Sequence, residues 1–145
     1  MTVMPKTDEK NRPKKSELPD TIKRSPAKAQ RTFAEAHDAA LEEYGSEERA
    51  HRVAYSALKH SFEKVGDHWE AKSRRGPSDS RDESGGPNPS GKSAGGVDTK
   101  ATKEHLMNVA RKLDIRGRSR MRKAELVDAI EKANRKATRS ARKKD

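Results

Sequence analysis

The chain has 145 residues, of which 29% are hydrophobic and 39% charged, so it has room for one ordinary domain or two very small ones and cannot bury a large core. It has no cysteine, which excludes disulfides and thiolate-ligated zinc, and no apolar run approaches the ~20 residues of a membrane span. The net charge of +11 is unevenly placed: residues 99–145 hold 16 Lys/Arg against 6 Asp/Glu, whereas residues 1–98 hold 18 against 17.

Residues 1–15 are polar with two prolines and lack the apolar stretch of a secretory signal, so a disordered arm and a soluble, cytoplasmic protein are expected. A first helical module is expected over residues 16–73. Leu18 and Ile22 are spaced to pin one short turn. Ser25-Pro26 reads as a helix start, with Ser as N-cap and Pro in the first turn. Ala29, Phe33, Ala36, Ala40 and Tyr44 then form one helical stripe, and Gly45 supplies the left-handed stop. Ser46 caps a second helix, with Glu47 and Glu48 in its first turn where the dipole favours anions. Its stripe runs through Ala50, Val53, Ala54, Ala57, Leu58, Phe62 and Val65 and ends at Gly66, with Trp69 placed to close the small core.

Residues 74–98 have no hydrophobic periodicity and are dominated by Gly, Ser and Pro, which predicts a flexible linker. Inside it, residues 86–93 read GPNPSGKS and fit the phosphate-loop pattern G-x-x-x-x-G-K-[ST]. A working loop of that kind follows a buried strand and opens a helix. Here SRDESG precedes it, AGGVD follows it, and Pro87 and Pro89 remove two backbone donors. A nucleotide hydrolase resting on this loop is therefore the least supported of three readings.

Residues 99–134 predict a second module. Thr99 or Thr102 caps a helix carrying Leu106, Val109, Ala110 and Leu113. Asp114-Ile115-Arg116-Gly117 interrupts it, and a further helix presents Leu126, Ala129, Ile130 and Ala133 on one face, with Ile115 and Met121 free to plug the pair. Residues 135–145 have no apolar stripe and are expected to form a disordered basic tail. The whole reads as all-α, two small helical modules on a disordered linker.

Two stretches resemble known families. L-P-D-x-I at 18–22, Pro26, A-Q at 29–30, Phe33, E-A at 35–36, Tyr44, E-x-x-A at 47–50, V-A at 53–54, A-L-K at 57–59, Phe62, Lys64 and Trp69 resemble the ChaB family. His37 stands where that family usually has Phe, Tyr55 where it usually has Trp, and Ser25 replaces an aliphatic residue. The resemblance implies a regulator of cation transport, acting through an unknown protein partner. R-M-R-K-A-E-L-V-D-A-I at 120–130, with L-x-x-x-A-R-K-L at 106–113, resembles the N-terminal module of transcription termination factor Rho, itself similar to SAP-type helix-extension-helix units. Neither Rho's oligonucleotide-binding barrel nor its ATPase ring follows in this chain.

No catalytic constellation stands out, so a non-enzymatic protein without cofactor is expected. The histidines (His37, His51, His60, His68, His105) form neither H-x-x-x-H nor H-E-x-x-H, and no metal site is expected. The aromatics share faces with the helix stripes and read as core. The candidate site is basic. Arg116, Arg118, Arg120 and Arg122 alternate with Gly117, Ser119 and Met121, so in an extended loop their forks would line one strip suited to phosphate oxygens. Gly117 would let the backbone approach, and Lys123 follows. Lys100, Lys103, Arg111 and Lys112 add charge nearby, and Arg135, Lys136, Arg139, Arg142, Lys143 and Lys144 give a tail that can follow a phosphate backbone. Residues 99–145 hold no aromatic for base stacking, so the expected partner is duplex DNA or structured RNA, bound largely through phosphate. The alternative is a ChaB-type regulator of a cation antiporter, acting through protein or membrane-surface contacts.

Overall fold

Local sequence rules account for most of the helices in the computed structural model, which describes residues 18–73, 75–79 and 93–144. The arm expected over 1–15 lies outside the described residues. Leu18 and Ile22 are buried around a one-turn helix, α1 (Asp20–Lys23). Helix α2 (Ala27–Tyr44) buries Ala29, Phe33, Ala34 and Ala40, and Gly45 ends it at φ 65° with its N–H on the Leu41 carbonyl. Ser46 caps α3 (Glu47–Ser61) through a bond from the Arg49 N–H to its Oγ. The Ser25 hydroxyl departs from expectation. It donates to the Thr21 carbonyl and accepts the Trp69 N–H, both at 2.8 Å, and so ties α1 to a distant strand; Pro26 occupies the N-cap position.

The all-α expectation needs one correction. Helix α3 stops at Ser61, and Phe62–Val65 (β1) pairs antiparallel with His68–Ala71 (β2). Gly66 at φ 71° makes the first corner of the Gly66-Asp67 turn, a position that favours glycine in two-residue hairpins. Phe62 and Val65 continue the spacing of the α3 stripe, which is why a helix pattern fits them as well as a strand pattern does.

In a strand, neighbouring side chains point to opposite faces, and this hairpin uses both. Phe62 and Trp69 join Leu18, Ile22, Phe33, Ala54 and Leu58 in one core. Val65 joins a second core with Ala94, Val97, Leu106, Val109, Leu126 and Ile130. Glu63 and Glu70, directly opposite each other in the ladder, also reach the second module.

That second module starts with Thr102, whose Oγ1 accepts the His105 N–H at the start of α4 (Lys103–Lys112). Asp114 (φ 55°) and Gly117 (φ 76°) turn the chain into a single 3-10 turn at Arg118–Arg120, and α5 (Lys123–Lys144) follows. Ile115 and Met121 pack against the core, as their positions suggest.

Two boundaries move. The linker expected over 74–98 is tied down at both ends. Ser78 and Asp79 are buried, the Ser78 hydroxyl donates to the Lys59 carbonyl at 2.9 Å, and Asp79 Oδ2 accepts the Ala94 N–H at 2.8 Å. Lys72 and Asp98 form a buried ion pair at 3.9 Å, and the Lys64 N–H donates to Gly96. Residues 74 and 80–92 lie outside the described residues, and with them the phosphate-loop pattern except Ser93. The expected disordered tail is helical: α5 runs through Lys144 because Asn134 and Thr138 continue the buried stripe of Leu126 and Ile130 with polar side chains. Asn134 Oδ1 accepts the Gly66 N–H at 2.6 Å while its Nδ2 donates to the Lys64 carbonyl at 3.0 Å. The modules are docked through the hairpin.

Candidate nucleic-acid interface

The basic residues are held by the two helices of the second module and the turn between them. The turn corrects the extended strip expected for Arg116, Arg118, Arg120 and Arg122. Arg118–Arg120 is a 3-10 turn, whose three-residue period does not align alternate side chains. Gly117's left-handed φ starts it, and the Arg120 N–H closes on the Gly117 carbonyl at 3.1 Å. Arg118 folds back, its Nη1 donating to the Ile115 carbonyl at 3.0 Å, whereas Arg116, Arg120 and Arg122 are exposed. The Arg122 N–H donates to Glu125 Oε1 at 3.1 Å, so this donor at the head of α5 is already taken by a carboxylate.

Helix α5 carries the feature that replaces the strip. Lys132, Arg135, Lys136, Arg139 and Lys143 recur at helical spacing, and all are exposed. Their face lies away from the buried Leu126, Ile130, Asn134 and Thr138. A 22-residue helix spans about 33 Å, so positive charge extends from Lys123 at one end to this stripe at the other. Lys132 joins the basic stripe because the helix continues past Ala133, which no apolar pattern announces.

The remaining candidates divide. Lys100 and Lys103 are exposed at the start of the module, and Arg111 is exposed with its Nη1 on Asn108 Oδ1 at 3.3 Å. Lys112 and Arg142 face the first module instead. Lys112 Nζ donates to Glu70 Oε1 at 3.0 Å, and Arg142 Nη2 to Asp20 Oδ1 at 3.2 Å. Lys144 is in α5, and nothing further is described of its side chain.

The carboxylates on these contacts are tuned accordingly. The Arg142 guanidinium holds Asp20 below the ordinary carboxylate range. Burial alone would raise Glu70, but Lys112 and His68 together hold it low. Burial pushes Glu63 upward against the opposing pull of His105, whose Nε2 lies 2.7 Å from its Oε2. Burial also lowers the Lys64 ammonium, which leaves it a weaker candidate for phosphate than the exposed α5 cations.

A separate cluster escaped the linear motifs. His37 near the end of α2 meets Glu47 and His51 in the first turns of α3, with their ligand atoms all within 4.8 Å of one another. Both phenylalanines, Tyr55 and Trp69 belong to the first core, with Phe33 and Tyr55 edge to face at 4.9 Å; the stripe residue Tyr44 does not join it.

The first module is a helical unit ending in a hairpin, docked on a pair of helices with a basic outer face. Residues 18–72 match the ChaB family model, and residues 100–139 match the N-terminal domain of Rho termination factor. The chain is a fusion of these two modules. Neither a comparison with curated proteins nor one with solved structures finds a match. No helix among the described residues is long and apolar enough to cross a membrane.

Proposed function

We propose that the chain is a non-enzymatic accessory protein that binds duplex DNA or structured RNA through its C-terminal module. The observation that carries this reading is the exposed stripe Lys132, Arg135, Lys136, Arg139 and Lys143 on a helix whose opposite face is buried. Cations repeated along a rigid rod match the repeated charge of a phosphate backbone, and binding releases the counterions condensed there. Arg120, Arg122 and Lys123 extend the surface toward the other helix. Since phosphate contacts carry little base information and the module has no aromatic to stack on bases, recognition is of backbone and shape with weak sequence preference. The match to a Rho N-terminal domain supports a nucleic-acid partner.

A second reading, regulation of a cation antiporter through protein or membrane-surface contacts, draws on the ChaB match. The apolar side of α5 counts against the membrane form of it, because Leu126 and Ile130 are already spent in the core and cannot enter a bilayer surface.

The test is a fluorescence-anisotropy titration of the full chain against duplex DNA, structured RNA, single-stranded DNA and anionic vesicles across a salt series. For duplex DNA, log K is expected to fall with log salt by about 0.9 for each phosphate neutralised. Arg135→Ala with Arg139→Ala should weaken binding and flatten that slope by about 1.8. A chain that ignores every nucleic acid at low salt and binds vesicles overturns the proposal in favour of the second reading.

A further inference from the structure

We propose that His37, Glu47 and His51 form a binding site for a divalent cation of the zinc type in the first module. The three side chains come from two rigid elements joined by the Gly45-Ser46 corner. His37 projects from α2 and is fully buried. Glu47 opens α3, and His51 sits one turn further along the same face. His37 Nε2 lies 2.6 Å from Glu47 Oε1, and His51 Nδ1 lies 3.4 Å from the same oxygen.

The donor set is chemically specific. Two imidazole nitrogens with one carboxylate oxygen suit Zn2+ and its neighbours and do not suit calcium or magnesium, which take all-oxygen shells. Zinc holds such ligands at about 2.0–2.2 Å, which places tetrahedral ligand atoms about 3.3 Å apart. The observed separations of 2.6 and 3.4 Å, with every pair inside 4.8 Å, bracket that edge. Glu47 is half exposed, so a small side-chain rotation opens the shorter distance without moving either helix.

A further contact orients the buried ligand. Asp38 Oδ1 lies 3.0 Å from His37 Nδ1, so with a cation bound this carboxylate would take the ring N–H and leave the Nε2 lone pair for the metal, in place of the proton that Nε2 shares with Glu47 without one. The rings are also held by packing. Phe33 stacks on His37 with centroids 6.5 Å apart, Tyr55 meets His51 at 6.1 Å, and the two imidazoles cross at 82°. Glu47 and His51 form the solvent rim, which leaves water as the fourth ligand. The competing account of the same geometry is a hydrogen-bonded clamp between α2 and α3 that binds no metal. The two accounts differ in what added zinc does.

The experiment titrates zinc salt into the metal-free full chain by calorimetry, and cobalt by visible absorption, beside His51→Ala, Glu47→Gln, Asp38→Ala and His60→Ala. His60 is exposed on α3 outside the cluster and serves as the control. One zinc per chain is expected, with a tetrahedral cobalt spectrum; both are lost in His51→Ala and Glu47→Gln and kept in His60→Ala. Asp38→Ala should weaken zinc about 10–100-fold without changing the stoichiometry. Far-UV circular dichroism confirms that each variant is folded, and the half-exposed Glu47→Gln supplies the reading should His51→Ala fail to fold. The proposal is overturned by an absence of saturable zinc binding in the unaltered chain. Binding that persists undiminished in both His51→Ala and Glu47→Gln overturns it equally.

Discussion

Asn134→Ala tests whether the two modules are one cooperative unit. The Asn134 side chain is 1% exposed and satisfies two backbone groups of the other module at once, the Gly66 N–H and the Lys64 carbonyl. Alanine removes the partner of both groups and vacates about the volume of one water, which restores the two bonds only if it bridges both groups at once. Each orphaned buried group costs about 1–3 kcal/mol, with Lys64 at the lower end because its residue is half-buried. Alanine's better helix propensity returns about 0.5 kcal/mol. The net loss is about 1.5–3.5 kcal/mol, and with a urea slope of about 2 kcal/mol per molar the midpoint falls by about 0.8–1.8 M. Trp69 reports it well, since it is the single tryptophan and is buried in the core that Asn134 does not join. The neighbouring exposed Arg135→Ala should stay within about 0.5 kcal/mol of the unaltered chain. A Trp69 transition unmoved by Asn134→Ala would refute the reasoning, because it would mean that the first module unfolds without reference to α5.

Gly96→Ala should be costly for a different reason: at φ 96° an added Cβ lies 2.6 Å from Trp69 Cη2 and 2.9 Å from Lys64 Cβ. Strain and overpacking together cost about 2–5 kcal/mol, against about 1–2 kcal/mol for Gly45→Ala, whose φ is 65° with nothing within 4 Å. Equal melting-temperature losses in the two variants would contradict the close approach of this segment to Trp69. Asp20 and Glu70 are held below their ordinary values, so the stability they contribute is present above the unfolded carboxylate range and is lost as pH falls through their folded values. Urea midpoints measured from neutral pH down to about pH 3 should therefore fall more steeply for the unaltered chain than for Asp20→Asn with Glu70→Gln. Parallel curves would show that these two ion pairs add nothing to docking.

The helices α2 and α4 and the start of α5 were legible because each carries a repeating apolar stripe, joined in α4 by a true side-chain cap. Gly45-Ser46 and Thr102 then behave as their chemistry dictates. The hairpin was not legible by periodicity, since Leu58, Phe62 and Val65 satisfy the helical spacing. The Gly-Asp pair between F-E-K-V and H-W-E-A was the local clue to a two-residue turn. The end of α5 was hidden for another reason. Hydrophobic pattern finds helices that bury carbon, whereas Asn134 and Thr138 hold this one in place through oxygen and nitrogen. Of the basic site, the residue types could be listed from sequence but their faces could not. That Lys112 meets Glu70 and Arg142 meets Asp20 depends on a docking that no local rule encodes. The His37–Glu47–His51 cluster was invisible for the same reason, because its members lie on separate helices and meet only through the corner at Gly45.

The family matches divide the chain between residues 72 and 100, yet the physical seam between the cores runs through the middle of β1. Consecutive residues there answer to different masters, Phe62 to one core and Glu63 to the other module. A single inserted or deleted residue ahead of Gly66 would exchange the two faces, turning carboxylates inward on one side and a phenylalanine outward on the other. The four residues of β1 are thus a joint inheritance. Exchanging either module for a relative's would require carrying this short strand along with both of its neighbourhoods, so two segments that families count separately are constrained to vary as one.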